Sequence, residues 1–508
     1  MTRIALLLKH FLFIVFIFAL AGCGPQPAPS ASASVRPAST LTVVPPTPSA
    51  TTVSVSATPA GPVLPDLSLT RGDRFFRVDG EPTFIMSRNL AGYSPQDYAT
   101  FASMAQEEGD LLLRVGTDNA AMGGLAGYGY TSSGQIVSDW DEHWENFFDT
   151  AEEDGLYVLP TFMGWINWSD SGYNTWSKNP FNHANGGPAS DPREIYHKDS
   201  PTQKLYVQWF GQVVSRWASH KNILGWEVVT EIDLIPGISQ AEGIYLTEQL
   251  AAAARQADPL HRPVTASLAG DYGFQGWLDF YRSDAIDFIN YHPYPASARL
   301  DLTTLQQVQN FLNAYHKPVL IGESGLSAAT PDTNDGRITT AKNAMLGVEH
   351  AIWAEAISGA MNGRALWWED SFGLYFPELG MAWVQKYEDV EAPVVHFMQG
   401  VDLSSYNPIR AQPSSAILGG ALGDEASLIG WFRDAGCEPP NWPLQKSISG
   451  QTVTLTVPGS AVNWRVEFYA TQTGTTPLGT VFVKRQGGTI TIPLPDFQDD
   501  IAFKASGR

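Results

Sequence analysis

The chain has 508 residues, and 44% of them are hydrophobic, which is enough for a packed core and excludes global disorder. It carries 31 Lys and Arg against 52 Asp and Glu, a net charge of −21, which argues against binding to nucleic acid or to an anionic membrane surface through charge. Its length suits one large domain with a smaller one beside it.

The first 23 residues have the layout of a secretory signal. Arg3 and Lys9 flank the start of an apolar run at 11–20, and this run is too short for a membrane-spanning helix that precedes a globular domain. Small residues and a cysteine follow at once, as Leu20-Ala21-Gly22-Cys23. This ending resembles the bacterial lipoprotein box, and the resemblance implies that Cys23 becomes the first residue of the mature protein and carries the lipid. An ordinary signal of a soluble secreted protein is the alternative.

A tether is predicted at residues 24–64, which are rich in Pro, Ala, Ser, Thr and Val and almost without charge. Such a composition cannot bury a core and favours a semi-extended chain. We therefore expect a protein anchored at the cell surface, outside the cytoplasm, that touches the membrane only through its N-terminal lipid.

The region 65–398 alternates short strand-like runs with helical patterns. A hairpin formed by 75–78 and 82–86 leads into it. Further strands are predicted at 111–115, 157–162, 224–230, 263–267, 286–291, 318–322 and 365–368, and helical patterns include 95–108, 202–218 and 241–257.

Strands that alternate with helices imply an α/β fold with a parallel sheet. About eight strands over this length predict a closed (β/α)8 TIM barrel. A doubly wound open sheet is the alternative. No glycine-rich phosphate loop follows the first strand, and that absence counts against the open sheet.

Two of the predicted strands end with a glutamate. One closes with Val229-Thr230-Glu231, and the other with Ile321-Gly322-Glu323. In a barrel the carboxyl ends of the strands meet at one rim, where such folds keep their chemistry. Two carboxyl groups that face each other across that rim are the minimum apparatus for cleaving a glycosidic bond.

The segment 216–231, with its Trp226-Glu227-Val228-Val229-Thr230-Glu231 ending, is similar to the strand-four region of clan A glycoside hydrolases. It is most similar to family 5, whose members are β-mannanase- and cellulase-like. The resemblance extends over about residues 66 to 395 and implies that Glu231 is the acid/base and that Glu323 is the nucleophile. Arg216 and Trp217, at the predicted end of a helix, belong to the same pattern.

Further pieces of the family pattern supply candidate substrate-binding residues. His292 and Tyr294 resemble the strand-six histidine and tyrosine of the clan, and Arg114 resembles the arginine beneath the nucleophile. Trp367 and Trp368 resemble the strand-eight tryptophan that floors the subsite where cleavage occurs.

Thr230 departs from the family pattern, which has asparagine before the acid/base. That asparagine normally binds the sugar hydroxyl next to the anomeric carbon, a contact that tightens in the transition state. A threonine is shorter and offers a single hydroxyl. It suits recruitment of a water or a differently substituted sugar, and it also suits a site with weakened catalysis.

The expected environment separates the two carboxyl groups. Arg114 and Tyr294 are placed to donate hydrogen bonds to Glu323 and keep it charged. Aromatic walls and a neighbouring negative charge are expected to raise the pKa of Glu231. His292 is expected to orient Glu231 or to bind substrate.

Several of these residues also have a structural interpretation. Arg114 can neutralise a buried acid, and His292 can be a satisfied core histidine. Glu227 precedes two valines in its strand, and we interpret it as structural. Glu369 and Asp370 lie at the end of the last strand and suit either sugar contact or a solvated rim.

An aromatic cluster follows the third strand, and loops at that rim build binding clefts. Its members Trp165 and Trp168 are candidates for stacking on sugar units, and a small satellite core is the alternative. The cluster also contains Asn167, Tyr173 and Trp176. Most of the 16 tryptophans are expected in the core, Trp140 and Trp144 among them because they are spaced i, i+4.

No metal site and no cofactor are predicted. His183, His197 and His220 are scattered and lack the spacing of metal ligands. The two cysteines exclude a disulfide framework, and Cys437 is expected to be a lone thiol, at least partly buried.

A β-sandwich is predicted for 399–508, where the helical pattern disappears. Runs of period two occur at 428–432, 453–457, 464–469, 479–483 and 489–492. Trp431 and Trp442 are candidates for binding carbohydrate, although a packing or spacer module is the favoured interpretation.

The sequence therefore predicts a lipid-anchored retaining glycoside hydrolase that acts on a β-linked polysaccharide or oligosaccharide of the β-mannan or β-glucan type. Two alternatives remain: a surface glycan-binding protein that has lost efficient turnover through Thr230, and a transglycosylase that uses the same site.

Overall fold

The computed structural model describes residues 64–70, 72–89, 110–118, 127–169, 175–270, 276–295, 299–325, 341–363, 384–438, 441 and 444–508. These residues belong to one compact unit. The predicted signal with Cys23, almost all of the predicted tether, the predicted helix at 95–108 and the predicted strand at 365–368 lie outside them.

A short antiparallel sheet precedes the parallel strands. It contains Leu67–Ser68 (β1), Phe76–Val78 (β2) and Glu81–Thr83 (β3), in that order. The pair β2 and β3 turns at Asp79 and Gly80, which both have positive φ. The predicted hairpin is confirmed, with its second strand ending at Thr83.

Eight parallel strands follow in chain order. Their bounds are Ile85–Asn89 (β4), Leu112–Gly116 (β5), Tyr157–Thr161 (β6), Trp226–Glu227 (β7), Val264–Thr265 (β8), Ile289–Tyr291 (β9), Val319–Ile321 (β10) and Asn362–Gly363 (β11). Six of them form one sheet in the order β11-β4-β5-β6-β7-β8, and β9 pairs with β10.

Backbone contacts join these two sheets at both ends. Ser267, just past β8, forms a parallel bridge with Asn290 in β9. On the other side, the Met361 N–H before β11 donates to the Val319 carbonyl in β10. The Asn362 amide adds hydrogen bonds to the N–H and the carbonyl of Ile321. The predicted α/β fold with parallel strands is confirmed.

Seven helices lie in the described parts of the chain. They are Ser138–Glu153 (α1), Thr175–Lys178 (α2), Pro201–Trp217 (α3), Gln240–Ala257 (α4), Leu300–Tyr315 (α5), Ala341–Ser358 (α6) and Val384–Met398 (α7). The helices predicted at 202–218 and 241–257 are therefore confirmed. No helix among the described residues is both long and apolar enough to cross a bilayer.

Local sequence explains where the helices begin and which face they bury. The Ser239 hydroxyl accepts from the Glu242 N–H, and the Glu242 carboxylate accepts from the Ser239 N–H, a capping box at the start of α4. In α1 the residues Trp140, Trp144 and Phe148 are buried, four residues apart along one face. The predicted packing role of the two tryptophans is confirmed.

The antiparallel hairpin covers the amino ends of the parallel strands. Leu67 and Phe76 belong to one apolar cluster with Ile85, Leu112 and Leu320, which lie in the strands β4, β5 and β10. Because this end of the sheet is filled with apolar side chains, the opposite end, where the strands finish, is the end left for chemistry.

Nine strands follow the last helix. Their bounds are Asn407–Ile409 (β12), Ala411–Pro413 (β13), Ile417–Gly423 (β14), Ser427–Asp434 (β15), Thr452–Thr456 (β16), Asn463–Tyr469 (β17), Pro477–Lys484 (β18), Thr489–Pro493 (β19) and Asp500–Gly507 (β20). All pairs among them are antiparallel, in sheets of order β12-β14-β15-β20-β17-β18 and β13-β16-β19. The five predicted strands are confirmed, and β12, β13, β14 and β20 were not predicted.

One apolar cluster joins the two antiparallel sheets. Val453 and Ile490 come from the three-stranded sheet, and Phe432, Val466 and Phe503 come from the six-stranded sheet. Alternating buried positions along β16 and β17 supply this cluster, as the period-two pattern predicts.

Tryptophans form much of the interior, as predicted. More than half of the 16 are buried, namely Trp140, Trp144, Trp168, Trp176, Trp209, Trp217, Trp226, Trp277, Trp353, Trp431 and Trp464. Trp431 is fully buried and therefore cannot bind carbohydrate in this structure: it packs on His350, and its indole N–H donates to Asp500 at 2.7 Å, which agrees with the favoured packing interpretation. Trp442 lies outside the described residues.

Cys437 is buried, as predicted. Burial and the nearby carboxylate of Asp499 raise the pKa of its thiol far above the usual range, and the thiol donates a hydrogen bond to Asp499 at 3.3 Å. A thiol that stays protonated is a poor nucleophile.

Candidate active site

Glu231 stands just beyond β7 in an unusual backbone conformation. Its φ of 51° lies in the left-handed region, which non-glycine residues rarely adopt. The neighbours on both sides are held by backbone bonds, from the Thr230 N–H to the Phe162 carbonyl and from the Ile232 N–H to the Ser267 carbonyl. The Glu231 N–H itself donates to the Ser267 hydroxyl at 3.0 Å. The strand end is therefore anchored from both adjacent strands.

Glu323 lies two residues beyond β10 and is largely buried. The Arg114 Nη1 donates to one of its carboxylate oxygens at 2.8 Å, and the Tyr294 hydroxyl donates to the other at 3.0 Å. Both oxygens of Glu323 thus accept a hydrogen bond from a side chain that sequence analysis placed in the site.

His292 lies between the two glutamates, and its ring is fully buried. Its Nδ1 is 3.0 Å from a Glu231 oxygen and 3.6 Å from a Glu323 oxygen. One carboxylate oxygen of each glutamate and one ring nitrogen all lie within 4.8 Å of one another. The structure therefore brings Glu231, Glu323, Arg114, His292 and Tyr294 together at one end of the parallel sheet.

Arg114 in β5 has a second partner, Glu227. Its Nε and Nη2 donate to the two oxygens of Glu227 at 2.6 and 2.9 Å, a two-pronged pairing in a fully buried position. Among the described residues, Arg114 is the only arginine or lysine that forms an ion pair with Glu227 or Glu323. The single positive charge of Arg114 is therefore shared between the carboxylates of Glu227 and Glu323.

Burial and charge act differently on the titratable groups. Burial, together with the Glu227 charge, raises the pKa of Glu231 to about 7 against the opposing effect of Arg114. Burial also raises the pKa of Glu323, while His292 and Arg114 oppose the rise. Burial lowers the pKa of His292, while the negative charges of Glu323 and Glu227 oppose the fall.

The carboxyl groups of Glu231 and Glu323 have different contacts. Glu323 touches a guanidinium and a phenolic hydroxyl, and both donate to its charged form. Glu231 contacts the His292 ring and forms no ion pair with an arginine or lysine of the described chain. These contacts favour the negative charge on Glu323 over that on Glu231.

Thr230 lies at the edge of this network. Its hydroxyl donates to Glu227 at 3.3 Å and is 3.5 Å from the Arg114 Nη2. The hydroxyl that stands where the family pattern has an amide is thus engaged with the buried ion pair.

Trp165 and Trp168 differ in position. Trp165 is only partly buried, and its side chain is close enough to Glu231 to lower the pKa of that carboxyl group. Trp168 is fully buried and packs against Trp176 and Tyr206 at ring-centre distances of 6.0 and 5.7 Å. Trp168 cannot stack on a sugar from this position, so its predicted substrate contact is corrected to a packing role.

Other predicted residues of the rim lie outside the described residues. They are Trp367, Trp368, Glu369, Asp370 and Tyr173.

A solved structure of a glycoside hydrolase family 5 protein from Bacteroides vulgatus is similar to this chain with a TM-score of 0.57. The alignment has 12% sequence identity and covers 87% of this chain and 93% of that one. The likeness shows the fold. At this identity it carries no conclusion about activity or substrate.

Two further solved structures align with lower TM-scores. An endo-β-1,4-mannanase from Thermotoga petrophila has a TM-score of 0.46 at 12% identity, with 83% of this chain and 98% of that chain covered. A GH30 endoxylanase from Clostridium papyrosolvens has a TM-score of 0.43 at 14% identity, with 87% and 100% covered. No protein-family model matches the chain, and no curated protein is significantly similar to it.

Glu231, His292 and Glu323 also offer three atoms that are close enough to ligate one cation. Two contacts oppose this use. The Arg114 guanidinium occupies the approach to Glu323, and the His292 Nδ1 is already engaged with Glu231. A metal cation at this position would also be repelled by the positive charge of Arg114. The arrangement suits proton transfer better than metal binding.

Ser267 was not singled out by sequence analysis, and Glu227 was interpreted only as structural. Ser267 is fully buried beyond β8, and its hydroxyl donates to Glu227 at 2.8 Å. The signal that points to Ser267 is its place at the carboxyl end of a predicted parallel strand, where barrel folds position functional side chains.

Proposed function

We propose that this protein is a retaining glycoside hydrolase that cleaves β-linked polysaccharides or oligosaccharides. The observation that carries the proposal is the closeness of the two carboxyl groups, since one oxygen of Glu231 lies within 4.8 Å of one oxygen of Glu323. Retaining enzymes hold their carboxyl groups about 5–5.5 Å apart, whereas inverting enzymes leave about 6.5–9.5 Å for a water molecule.

In the proposed reaction Glu323 begins as a carboxylate and Glu231 begins protonated. Glu323, held in its charged form by Arg114 and Tyr294, attacks the anomeric carbon while Glu231 donates its proton to the departing oxygen. A glycosyl ester on Glu323 and a released sugar alcohol result. Glu231, now a carboxylate, removes a proton from water, and the hydroxide displaces Glu323 with overall retention of configuration.

A β-mannan or β-glucan type of substrate is the finer part of the proposal. It rests on the family 5 resemblance of the 216–231 segment and on the net charge of −21, which suits a neutral polymer better than an anionic one. The partly buried Trp165 offers an aromatic face beside Glu231 for a sugar ring.

We also propose the finer architecture and the location. The eight parallel strands and their helices support a (β/α)8 TIM barrel for 65–398, and the two antiparallel sheets with a shared apolar cluster support a β-sandwich for 399–508. The Leu20–Cys23 ending supports lipidation at Cys23 and a position at the cell surface. Replacing Cys23 with serine should release the protein from the membrane fraction, as metabolic labelling with a fatty acid would check.

A panel of β-linked polysaccharides and oligosaccharides tests the activity. We expect the full chain to release reducing sugars from at least one member, with the β-anomer detected first by proton NMR. The Glu323→Ala variant should lose the activity by at least about a thousandfold, because no other group can form the glycosyl ester.

Three results would contradict or redirect the proposal. Binding of a polysaccharide without cleavage by the wild type would favour a glycan-binding protein. Products that are mainly longer oligosaccharides at high substrate concentration would favour a transglycosylase. Initial release of the α-anomer from a β-linked substrate would contradict retention.

A further inference from the structure

Glu227 lies in the strand that leads to Glu231, yet its side chain faces the interior rather than the cleft. It is fully buried in β7, and four hydrogen bonds from side chains reach its two oxygens. Two come from Arg114, one from the Ser267 hydroxyl and one from the Thr230 hydroxyl. A buried carboxylate with so many donors is held in one orientation.

Ser267 connects this carboxylate to the backbone of Glu231. Its hydroxyl donates to Glu227 at 2.8 Å and accepts the Glu231 N–H at 3.0 Å. Its own backbone is fixed, because its N–H donates to the Val229 carbonyl and its carbonyl accepts the Ile232 N–H. The hydroxyl therefore has a defined position between Glu227 and Glu231.

The contacts form one continuous path from one glutamate to the other. It runs from the Glu231 N–H through the Ser267 hydroxyl to Glu227, and from Glu227 through Arg114 to the Glu323 carboxylate. The path begins at the residue with positive φ, a conformation that persists only where surrounding contacts enforce it.

We propose that Glu227 and Ser267 are positioning residues that set the placement of both reacting carboxyl groups, Glu227 by holding Arg114 against Glu323 and Ser267 by holding the left-handed backbone of Glu231. The inference rests on the proposed glycosidase function for its kinetic consequences. Both residues are fully buried, so they act through the neighbours to which they are hydrogen-bonded.

The path also has an electrostatic consequence. Glu227 shares the Arg114 charge with Glu323 and raises the pKa of Glu231. If Glu227 loses its charge, the Arg114 guanidinium pairs with the Glu323 carboxylate alone, and Glu231 loses one negatively charged neighbour. The loss of that negative neighbour favours the ionised form of Glu231.

Direct titration of Glu231 tests this consequence without any substrate. The full chain is labelled with ¹³C at the glutamate side-chain carboxyl carbon, and the Glu231 resonance is assigned by its loss in Glu231→Gln. We expect the Glu231 pKa to fall by about one unit in Glu227→Gln. The Glu248→Gln variant, which removes an exposed carboxylate of α4 that accepts from Ser283, should leave that pKa unchanged.

Kinetics test the positioning by Ser267. Ser267→Ala should lower kcat by about tenfold or more with KM little changed, because the geometry of Glu231 is lost while substrate contacts remain. Ser267→Thr keeps the hydroxyl and should restore most of kcat. In Glu227→Gln the alkaline limb of the kcat/KM profile should move to lower pH.

The outcomes separate this inference from the proposed function. A Glu231 pKa that does not move in Glu227→Gln would overturn the role of Glu227, whether or not the protein hydrolyses glycosides. Equal kcat values in Ser267→Ala and the wild type, or equal losses in the Ala and Thr variants, would overturn the role of Ser267. A wild type without hydrolysis but with the expected pKa shift would support the network and refute the glycosidase.

Discussion

At the scale of single residues, Arg114 is the group on which both carboxyl groups depend. Its three donor nitrogens reach Glu227 twice and Glu323 once, all within 2.9 Å. Its charge opposes the rise in the pKa of both Glu231 and Glu323. A planar guanidinium can meet two carboxylates at once, whereas a lysine ammonium is a single point charge on a flexible stem.

Arg114→Lys should therefore shift the pH dependence of kcat/KM to higher pH. The acid limb reports ionisation of Glu323 and the alkaline limb reports protonation of Glu231, with a pKa of about 7 in the wild type. Loss of hydrogen-bond donors to the Glu323 carboxylate raises the pKa of Glu323 and moves the acid limb to higher pH, and we expect a fall in kcat/KM of about a hundredfold.

The pH profile of the purified Arg114→Lys variant checks this. Arg255→Lys, which alters an ion pair with Asp287 away from the site, is the matched control and should keep the wild-type profile. An acid limb that stays in place in Arg114→Lys would show that Arg114 does not support the Glu323 charge.

Two neighbouring tryptophans give a second test at this scale. Trp168→Ala should lower the free energy of unfolding by about 3–5 kcal/mol, since it leaves a large cavity among buried aromatic rings. Trp165→Ala should raise KM with a smaller loss of stability, because Trp165 is only partly buried beside Glu231. Urea unfolding and steady-state kinetics measure the two quantities. A raised KM in Trp168→Ala at unchanged stability would restore its predicted role in the cleft.

At the scale of elements, the close contact between β9 and β10 controls where Glu323 sits. Gly322 links β10 to Glu323, and a Cβ placed at Gly322 would lie 1.8 Å from the Asn290 Oδ1 in β9. Asn290 is fully buried, so its side chain cannot move out of the way into solvent. Only glycine fits between these strands.

Gly322→Ala should thus lower stability by about 1–3 kcal/mol through overpacking and reduce kcat by displacing Glu323. The double variant Gly322→Ala/Asn290→Ala removes the clashing amide and should recover part of the stability. Thermal unfolding of both variants and of Asn290→Ala alone gives the coupling energy. Strictly additive losses would mean that the two side chains do not compete for this space.

The strand-end glutamates could be predicted from the sequence because each closes an apolar run within a recognisable motif. The contacts of Glu227 and Ser267 could not, since they join β5, β7 and the end of β8 across large separations in the chain. The pairing of Arg114 with Glu227 depends on which way each strand faces, and a two-residue strand such as β7 has no period from which to determine it. The predicted substrate contact of Trp168 was wrong for a similar reason, because an aromatic cluster after a strand suits a cleft and a core equally well.

At the scale of the whole molecule, the C-terminal sheets pack on the helices of the parallel-stranded region. Arg433 of β15 is fully buried and pairs with Asp301 of α5, and Trp431 packs on His350 of α6. The alternating pattern of 399–508 predicted its strands but not this contact. Long-range packing between two regions leaves no local period in the sequence.

Asp500 titrates within this interface. Burial raises its pKa to about 7, while hydrogen bonds donated by Thr471 and the Trp431 indole oppose the rise. Glu349 is nearby and has a raised pKa too, since burial and the Asp500 charge disfavour its ionised form. His350 also faces Asp500, with its Nε2 3.9 Å from the carboxylate.

Stability should fall as pH rises through this window. The Asp500 pKa is about 7 in the folded state, against the ordinary value of 3.8 expected in the unfolded chain. The contribution of Asp500 to stability is therefore fully present below pH 3.8 and is lost as the pH rises to about 7. Asp500→Asn has no charge to bury and should lose less stability than the wild type between acidic and neutral pH.

Urea unfolding at a series of pH values checks this, with Asp496→Asn at an exposed position as the control. Parallel stability curves for the wild type and Asp500→Asn would contradict a protonated Asp500 in the interface.

The central claim is that Glu323 forms a covalent bond to sugar. The most direct measurement is mass spectrometry of the full chain after incubation with a 2-deoxy-2-fluoro glycoside that carries a good leaving group and matches the sugar of a substrate found in the panel. A single added glycosyl mass on the peptide that contains Glu323, absent in Glu323→Ala, is the result we predict. Hydrolysis of that substrate with no adduct, or an adduct on another residue, would contradict the account.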